Sequence, residues 1–203
     1  MAFKKLHSGL LESIEQAGFV DPLPYQKELI SLIKSGVNVY AFGPEGIGRS
    51  TAIVLSTLHK LNFEAFDDPP RAIIIVKDKE AALEMEANFA RFTRYSDIRV
   101  KSVYEEGKVE LQREEIYVGV DVVIITPKRL HKIYFLNGIN LNKIQLFIIE
   151  DAQFLAKENL NPEIVRISQS TAKCQYIICA EKREKVFEKF DVSFMEKCRV
   201  LKS

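Results

Sequence analysis

The sequence predicts an α/β fold in which helices cover both faces of a mainly parallel sheet. Short, strongly apolar runs recur along the 203 residues, and helical patterns separate most of them. A run that is apolar at nearly every position is typical of a strand buried on both faces, and strand-helix alternation favours parallel pairing. A glycine-rich segment directly follows the first of these runs. Because ligands bind at the carboxyl ends of parallel strands, we expect the functional residues at that edge of the sheet.

The N-terminal part of the chain predicts two helices before the first strand. A stripe of apolar residues at helical spacing runs from residue 6 and stops at Gly18. Pro24 suits the first turn of a second helix over residues 25–34, and Gly36 ends it. Further helices are predicted over residues 52–61, 80–95, 128–136 and 162–167. The predicted strands are residues 37–42, 72–76, 100–104, 120–125, 146–149 and 176–180, with a last one near Val200.

Composition limits the classes of function. A chain with 47% hydrophobic and 28% charged residues is long enough for one well-packed core and too short for two typical α/β domains. The net charge of +1 means that any nucleic-acid contact must come from a local patch. Three cysteines without C-x-x-C spacing indicate reduced thiols, and three separated histidines predict no metal site. No run approaches the length of a membrane span and no secretory signal is recognised, so we expect a cytoplasmic protein without a membrane partner.

The glycine-rich segment has the pattern of a phosphate-binding loop. Its spacing, G-x-x-x-x-G-[basic]-Ser, matches the Walker A pattern except that Arg49 stands where lysine is expected. Glycines let successive backbone N–H groups converge on an oxyanion, and the following helix adds its positive N-terminal dipole. A glycine-rich turn that binds nothing is the alternative, and the flanking strand and Ser50 favour the functional interpretation. The predicted phosphate-binding residues are Gly43, Pro44, Glu45, Gly46, Ile47, Gly48, Arg49, Ser50 and Thr51.

A pair of carboxylates, Glu150 and Asp151, follows the apolar run at residues 146–149. Two adjacent acidic residues can form an ordinary solvated turn. At the carboxyl end of a strand beside a phosphate loop, however, they supply the oxygen ligands that a Mg²⁺-nucleotide complex needs. The sequence therefore predicts Mg²⁺ held through the nucleotide by Ser50 and Glu150, with Glu150, Asp151 and Arg49 as the catalytic candidates.

Several segments occur in a familiar order, and the chain resembles the N-terminal RecA-like domain of DEAD-box RNA helicases over nearly its full length. Residues 18–26 are similar to the Q motif, residues 43–50 to motif I, and residues 148–153 to the acidic box. Residues 126–129 are similar to the Thr-Pro-Gly-Arg element, and residues 179–181 stand where Ser-Ala-Thr is expected. The resemblance implies a P-loop NTPase fold, a three-layer α/β/α sandwich, with residues 1–203 forming one domain and residues 1–26 a Q-motif-like extension.

The resemblance also implies roles for individual residues. Phe19 and Gln26 would recognise the adenine of ATP or ADP. Lys79, Thr126 and Arg129 stand where the family contacts RNA, although Thr126 before a proline is also a common helix start. A second RecA-like domain or another protein partner would complete the ATPase, because the resemblance covers only the first domain.

The departures from the family pattern predict weak catalysis. The acidic box reads Glu-Asp-Ala-Gln, so Glu150 replaces the family's metal-associated aspartate and Asp151 replaces its water-positioning glutamate. Arg49 replaces a lysine, and its planar fork does not reproduce the point contact of an ammonium group. Glu105 and Glu106 stand at the place of the family's glycine pair and would repel a phosphate backbone.

Three functions are compatible with this sequence. The first is half of an active ATP-dependent RNA helicase, completed by a partner chain. The second, which the altered motifs favour, is a nucleotide- or RNA-binding module whose hydrolysis is impaired or lost. The third is an unrelated P-loop kinase, which is the weakest because no segment between the later strands has the basic composition of a kinase lid.

Overall fold

The computed structural model describes residue 3, residues 6–156 and residues 160–203, and within them the strands form a single sheet of seven. The strands are β1 (Asn38–Phe42), β2 (Ala72–Ile75), β3 (Val100–Val103), β4 (Val122–Ile125), β5 (Leu146–Ile149), β6 (Gln175–Ala180) and β7 (Cys198–Lys202). They are ordered β3-β4-β2-β5-β6-β1-β7 across the sheet, and every neighbouring pair is parallel. The predicted α/β class with a parallel sheet is confirmed.

Helices cover both faces of this sheet. They are α1 (Ser8–Gln16), α2 (Pro24–Lys34), α3 (Arg49–Lys60), α4 (Lys79–Thr93), α5 (Val109–Val118), α6 (Pro127–Phe135), α7 (Asn161–Gln169) and α8 (Glu188–Asp191). The buried apolar residues of α1 to α4 pack in one cluster and those of α5 to α8 in another. The result is the three-layer α/β/α sandwich that the resemblance implied.

The strand side chains alternate between the two layers, as the two-residue period of a strand requires. In β1, Val39 and Ala41 pack against the helices of the first layer, whereas Tyr40 and Phe42 face the second. All four are buried. Burying a side chain of the size of valine or phenylalanine on either face contributes about 1.5–3 kcal/mol, so both faces of β1 hold it in the centre of the molecule.

The register of the central strands brings the two candidate motifs to one edge. Phe42, the last residue of β1, lies opposite Ala180 of β6, and Ile149 of β5 lies opposite Ile178. The Gly43 amide donates to the Ala180 carbonyl at 3.1 Å. The loop after β1 and the acidic pair after β5 therefore emerge at the same edge of the sheet, two residues apart in register and separated by the width of β6.

The four-residue helix α8 was not among the predicted helices, and neither was the longer helix α5. Its buried positions include the polar Gln112, whereas Leu111, Tyr117 and Val118 are exposed. Apolar residues therefore occur on both sides of the helix, and the sequence shows no clean stripe at helical spacing. The bounds of the predicted helices and strands otherwise differ from those of the structure by a few residues.

Two further expectations concern the N-terminal segment and the membrane. Of the predicted extension over residues 1–26, residues 1, 2, 4 and 5 lie outside the described residues, and the remainder includes α1 and the first turn of α2. Pro24 begins α2 as predicted. Among the helices described, none has both the length and the apolar character that crossing a bilayer requires. A location in the cytoplasm stays a prediction.

Candidate nucleotide-binding site

The loop between β1 and α3 depends on two glycines in the left-handed region. Gly46 has φ of 80° and Gly48, which precedes the first residue of α3, has φ of 89°. A Cβ atom on Gly48 would lie 2.2 Å from Nε2 of Gln26, which is far inside van der Waals contact. Around Gly46 a Cβ atom would meet nothing within 4 Å. Backbone conformation thus requires glycine at both positions, and the close approach of Gln26 adds a second reason at Gly48.

Arg49 is buried and joins the loop to the acidic pair. Its Nη1 donates to the Gly43 carbonyl at 2.8 Å, and its Nη2 donates to Oδ1 of Asp151 at 2.6 Å. Asp151 adopts a left-handed conformation with φ of 53°, which an aspartate tolerates better than most residues. The planar guanidinium therefore ties the start of the loop to the turn after β5 and uses its positive charge within the chain.

Ser50 and Glu150 form a second contact between the same two segments. The Ser50 hydroxyl donates to Oε1 of Glu150 at 2.8 Å, while Oε2 of Glu150 is buried without a hydrogen-bond partner. Burial raises the pKa of Glu150 to about 7, against the lowering effects of Arg49 and the Ser50 hydrogen bond. Near neutral pH this carboxyl is therefore only partly ionised, and among the described residues its Oε2 has no hydrogen-bond partner.

A cavity of about 480 Å³ opens beside these residues. The cavity is lined by the loop, the start of α3, the β2–α4 connection, the first turns of α4 and the acidic pair. Its charged side chains are the carboxylates Glu45, Asp78, Glu80, Glu84, Glu150 and Asp151 and the cations Arg49 and Lys77. With six carboxylates against two cations, the cavity repels a free triphosphate and favours one that carries a divalent cation.

The donor set fits Mg²⁺ held together with a nucleotide. Magnesium prefers oxygen ligands and is usually bound by one or two carboxylates plus phosphates and waters. Ser50 and Glu150 supply a hydroxyl and a carboxylate at the mouth of the loop, and Oε2 of Glu150 lacks any other partner. The described residues contain no group of three or more histidine, cysteine, aspartate or glutamate side chains placed to hold a metal ion. Phosphate oxygens and waters would complete the coordination of Mg²⁺.

The predicted adenine residues lie outside the cavity lining. Gln26 is buried, its Oε1 accepts from the Leu23 amide at 2.9 Å, and its Nε2 donates to the Gly48 carbonyl at 3.2 Å. Phe19 packs against Phe92, with ring centroids 5.5 Å apart. Gln26 thus links α2 to the loop. Its amide group keeps one further donor and one further acceptor, so burial and not a lack of hydrogen-bonding capacity separates it from an adenine edge.

The remaining loop residues are divided between cavity and core. Thr51 lines the cavity together with Glu45 and Gly46. Pro44 is exposed and does not line it, and Ile47 packs against the apolar core.

The three predicted RNA-contacting residues cluster around the turn after β3. The Thr126 hydroxyl donates to Oε2 of Glu105 at 2.6 Å, and Nη2 of Arg129 donates to the carbonyls of Glu105 at 2.5 Å and Gly107 at 2.9 Å. Thr126 and Arg129 are both buried. The Lys79 ammonium lies over the Tyr104 ring at 5.5 Å. The structure brings these side chains together, but it does so through contacts within the chain.

Sequence reasoning missed the contribution of α4 to the cavity. Asp78 caps this helix by accepting from the Ala81 amide at 2.9 Å, and Glu80, Glu84 and Asn88 follow along its cavity-facing side. The available signal was topological, because a helix that begins directly after β2 starts at the same sheet edge as the loop. Cys179, near the end of β6, was also not predicted as a site residue. Burial raises the pKa of its thiol, and the thiol and the Glu150 carboxyl influence each other electrostatically.

Most of the chain is similar in sequence to known proteins. The chain is 28% identical over 199 residues to the DEAD-box ATP-dependent RNA helicase CshA of Streptococcus pneumoniae, covering 97% of this chain and 38% of that protein. It is 30% identical over 175 residues to the probable ATP-dependent RNA helicase ddx27 of Dictyostelium discoideum, covering 83% of this chain and 22% of that protein. The chain therefore spans well under half the length of these relatives.

The fold has a close counterpart among solved structures. The crystal structure of a DEAD box protein from the hyperthermophile Methanococcus jannaschii superposes with a TM-score of 0.88, at 16% identity, over 98% of this chain and 54% of that one. The sequence pattern described as DEAD/DEAH box helicase matches residues 23–186, which include the glycine-rich loop, the acidic pair and the end of β6. The chain belongs to the DEAD/DEAH box helicase family.

Proposed function

We propose that the chain forms one RecA-like domain that binds an adenine nucleotide with Mg²⁺ at the loop of residues 43–50 and hydrolyses ATP slowly or not at all. Binding is supported by the two left-handed glycines, the N-terminus of α3 and the Ser50–Glu150 pair at one edge of the sheet. The acidic cavity supports a requirement for Mg²⁺, because a free triphosphate would meet six carboxylates there.

The contact between Arg49 and Asp151 carries the proposal of impaired hydrolysis. The two side chains that would stabilise transferring phosphate and position water are joined to each other at 2.6 Å. For ATP to bind productively, Arg49 must leave Asp151 and Gly43. Shifting a carboxylate by one methylene moves it by about 1.5 Å, and misplacement of about 1 Å can cost about a hundredfold in rate. Asp151 is shorter than the glutamate of the family pattern by that one methylene.

We also propose that the turn after β3 binds RNA more weakly than the family resemblance implies. Glu105 presents its carboxylate to the Thr126 hydroxyl, where the family resemblance implies an RNA phosphate. An RNA backbone would have to displace this carboxylate against like-charge repulsion. The names of the relatives describe RNA helicases, and unwinding by the whole protein, with a second RecA-like domain or a partner chain, is the alternative function.

Calorimetric titration of the purified chain with ATP and ADP, with and without Mg²⁺, tests the binding site. We expect saturable binding that depends on Mg²⁺ and is lost when Ser50 is changed to Ala together with Glu150 to Gln. Absence of binding at millimolar nucleotide would remove the site assignment altogether. A Gln26→Ala variant with an unchanged preference for ATP over GTP would leave binding intact but remove the adenine role of Gln26.

An ATPase assay with and without single-stranded RNA tests the impaired hydrolysis. We expect negligible turnover for the wild-type chain. The variant Arg49→Lys, Glu150→Asp, Asp151→Glu restores the family pattern and should tighten nucleotide binding while recovering little turnover without a second domain, whose arginine finger is worth roughly 10³–10⁵ in rate in related reactions. Brisk RNA-stimulated turnover by the wild-type chain would refute the proposal.

A further inference from the structure

Helix α5 carries an exposed apolar surface that the nucleotide site does not use. Leu111 and Val118 lie on one side of the helix and Tyr117 lies roughly 100° around it, and we name these three exposed residues the α5 patch. Tyr117 is 84% and Val118 72% exposed, although aromatic and aliphatic side chains of this size usually gain from burial. The patch explains why α5 lacks a clean helical stripe in the sequence. Single exposed apolar residues need no explanation, but three on one short helix mark a candidate contact surface.

Cavities flank the patch on both sides. The larger, of about 550 Å³, lies between α5, residues 68–70 and residues 137–140, and Tyr117 and Ile116 form part of its wall. The second, of about 470 Å³, is lined by Leu111 and Val118 together with the edge strand β3. Volumes of this size accept several side chains of a ligand. Neither cavity shares a lining residue with the cavity at the loop.

The charges of the larger cavity select the partner. The acidic side chains in its wall are Asp68, Glu110 and Glu114, and the cation is Arg113. Arg113 donates to the Leu136 carbonyl at 3.0 Å, so part of its hydrogen-bonding capacity is used within the chain. Asp68 lies 4.0 Å from Arg99. Among the described residues, Glu110 and Glu114 form no ion pair, so these two carry the unpaired negative charge of the wall. The cavity is therefore net negative, repels a phosphate backbone and attracts a cationic group.

We propose that the α5 patch and the larger cavity form a docking site for a peptide segment of a partner protein that presents basic side chains beside apolar ones. The apolar side chains pack against Tyr117 and Val118, and a lysine or arginine enters the cavity between Glu110 and Glu114. Tyrosine is a frequent anchor of such interfaces, because it buries a large rigid surface at low entropic cost. This interaction is independent of the nucleotide site, since it involves none of the same residues.

Fluorescence anisotropy with a short amphipathic peptide of leucine and lysine tests the docking site, and the matched peptide of leucine and glutamate serves as the control probe. We expect saturable binding of the lysine peptide and little binding of the glutamate peptide. Tyr117→Ser should weaken binding by at least about tenfold. The matched variant Tyr95→Ser removes another strongly exposed tyrosine, 68% exposed and just beyond the end of α4, and should leave affinity unchanged.

Charge reversal provides the decisive variant. Glu110→Lys with Glu114→Lys should reverse the preference, so that the glutamate peptide binds more tightly than the lysine peptide. Both residues are exposed on α5, and circular dichroism would verify that the variants keep their helix content. Equal affinity for the two peptides, or wild-type affinity in Tyr117→Ser, would overturn the proposal.

Two other ligands of the α5 patch, a nucleic acid and a second copy of the chain, are distinguished with the same protein variants and peptides. If single-stranded oligouridylate perturbs the backbone amide signals of α5 in NMR spectra, the site recognises nucleic acid and the proposal is wrong. If sedimentation shows a dimer that Tyr117→Ser dissociates, the occupant is a second copy of the chain, which also overturns it. Amide shifts on α5 caused by the lysine peptide and absent with the glutamate peptide would support the proposal.

Discussion

The guanidinium of Arg49 is bound at both ends of its fork, by the Gly43 carbonyl and by the Asp151 carboxylate. A nucleotide phosphate can recruit this cation only by breaking those contacts. Asp151 competes directly with phosphate for the Arg49 guanidinium. Its charge therefore opposes nucleotide binding more than the charge of a cavity carboxylate that does not contact Arg49.

Asp151→Asn should therefore tighten Mg-ATP binding by about 5–50-fold, equivalent to about 1–2 kcal/mol. The same change leaves a buried guanidinium without its carboxylate and should lower the free energy of unfolding by about 1–2 kcal/mol, a reduced cost because Asp151 is partly exposed. Calorimetry and urea denaturation measure the two effects. The control Glu84→Gln removes the same charge from the cavity without touching Arg49, and equal gains in the two variants would contradict the competition.

Glu150 makes stability depend on pH in the range below neutrality. Its pKa is raised to about 7 from an ordinary value of 4.5, so between these values the folded chain binds more protons than the unfolded chain. The contribution of Glu150 to stability is therefore highest below pH 4.5 and falls as pH rises to 7. Glu150→Gln should remove this slope and, at pH 8, increase the free energy of unfolding by about 1–3 kcal/mol.

Urea denaturation at pH 5 and pH 8 measures this effect. Glu12→Gln, on the exposed side of α1, is the control and should change stability little at either pH. Loss of stability at pH 8 in Glu150→Gln would mean that the ionised carboxylate is held favourably by Ser50 and Arg49 and is not penalised by its burial.

The sequence predicted which charged residues gather at the site but not how they pair. Strand runs, glycine spacing and the positions of Ser50, Glu150 and Asp151 were sufficient to place them at one sheet edge. The direction of the Arg49 fork depends on where Gly43 and Asp151 lie in space, and the sequence contains no local signal for that. Gln26 was predicted to read adenine, and its present contacts with Leu23 and Gly48 depend equally on tertiary packing.

At the scale of elements, the loop and α2 are coupled through Gly48 and Gln26. Gly46 and Gly48 both adopt positive φ, so alanine at either position carries backbone strain, but only Gly48→Ala also places a Cβ atom against Gln26. We expect Gly48→Ala to destabilise the chain by about 1 kcal/mol more than Gly46→Ala. Combination with Gln26→Ala should abolish this difference, and denaturation of the resulting double-mutant cycle measures it. A difference that persists without Gln26 would show that the clash is not its cause.

The turn after β3 and the start of α6 form a second coupled pair of elements. Glu105 accepts from Thr126, whereas its neighbour Glu106 is exposed and makes no hydrogen bond or ion pair within the described residues. Glu105→Ala should increase affinity for a fluorescent oligouridylate several-fold more than Glu106→Ala, because both remove one charge and only the first frees the Thr126 hydroxyl. Anisotropy at low salt measures the difference, and equal effects would mean that charge alone controls RNA binding.

Helix α5 shows why a helix of ten residues was not predicted. Its apolar residues lie on both sides of the helix, so hydrophobic periodicity gave no clear angle for a buried face. A helix without large apolar residues on its exposed face, such as α2, was predicted within a few residues. A helix with a second contact surface is expected to carry apolar residues on its exposed side. Such residues hide the helical spacing of the buried ones in the sequence.

At the scale of the whole molecule, Asp121 connects the amino ends of three strands. This fully buried carboxylate accepts from Arg71 at 2.7 Å and from Arg99 at 2.9 Å, and it also accepts from the backbone amides of Phe66 and Arg99. Burial alone would raise its pKa, but the hydrogen bonds outweigh burial and hold the pKa of Asp121 below its ordinary value. Its contribution to stability is therefore present at neutral pH and lost as pH falls through the acid range, opposite in sign to that of Glu150.

Asp121→Ala should be the most damaging of the substitutions considered, with a loss of about 3–5 kcal/mol in the free energy of unfolding, since two guanidinium groups lose their common acceptor. Its control is Asp68→Ala, which removes an exposed carboxylate 4.0 Å from Arg99 and should cost less than about 0.5 kcal/mol. Thermal denaturation at pH 7 compares the stability of the two variants. The difference in their free energies of unfolding should become smaller as pH is lowered, because Asp121 then becomes protonated in the unfolded chain. A gap that is equally wide at acid pH would show that Asp121 stabilises the sheet by packing and not through its charge.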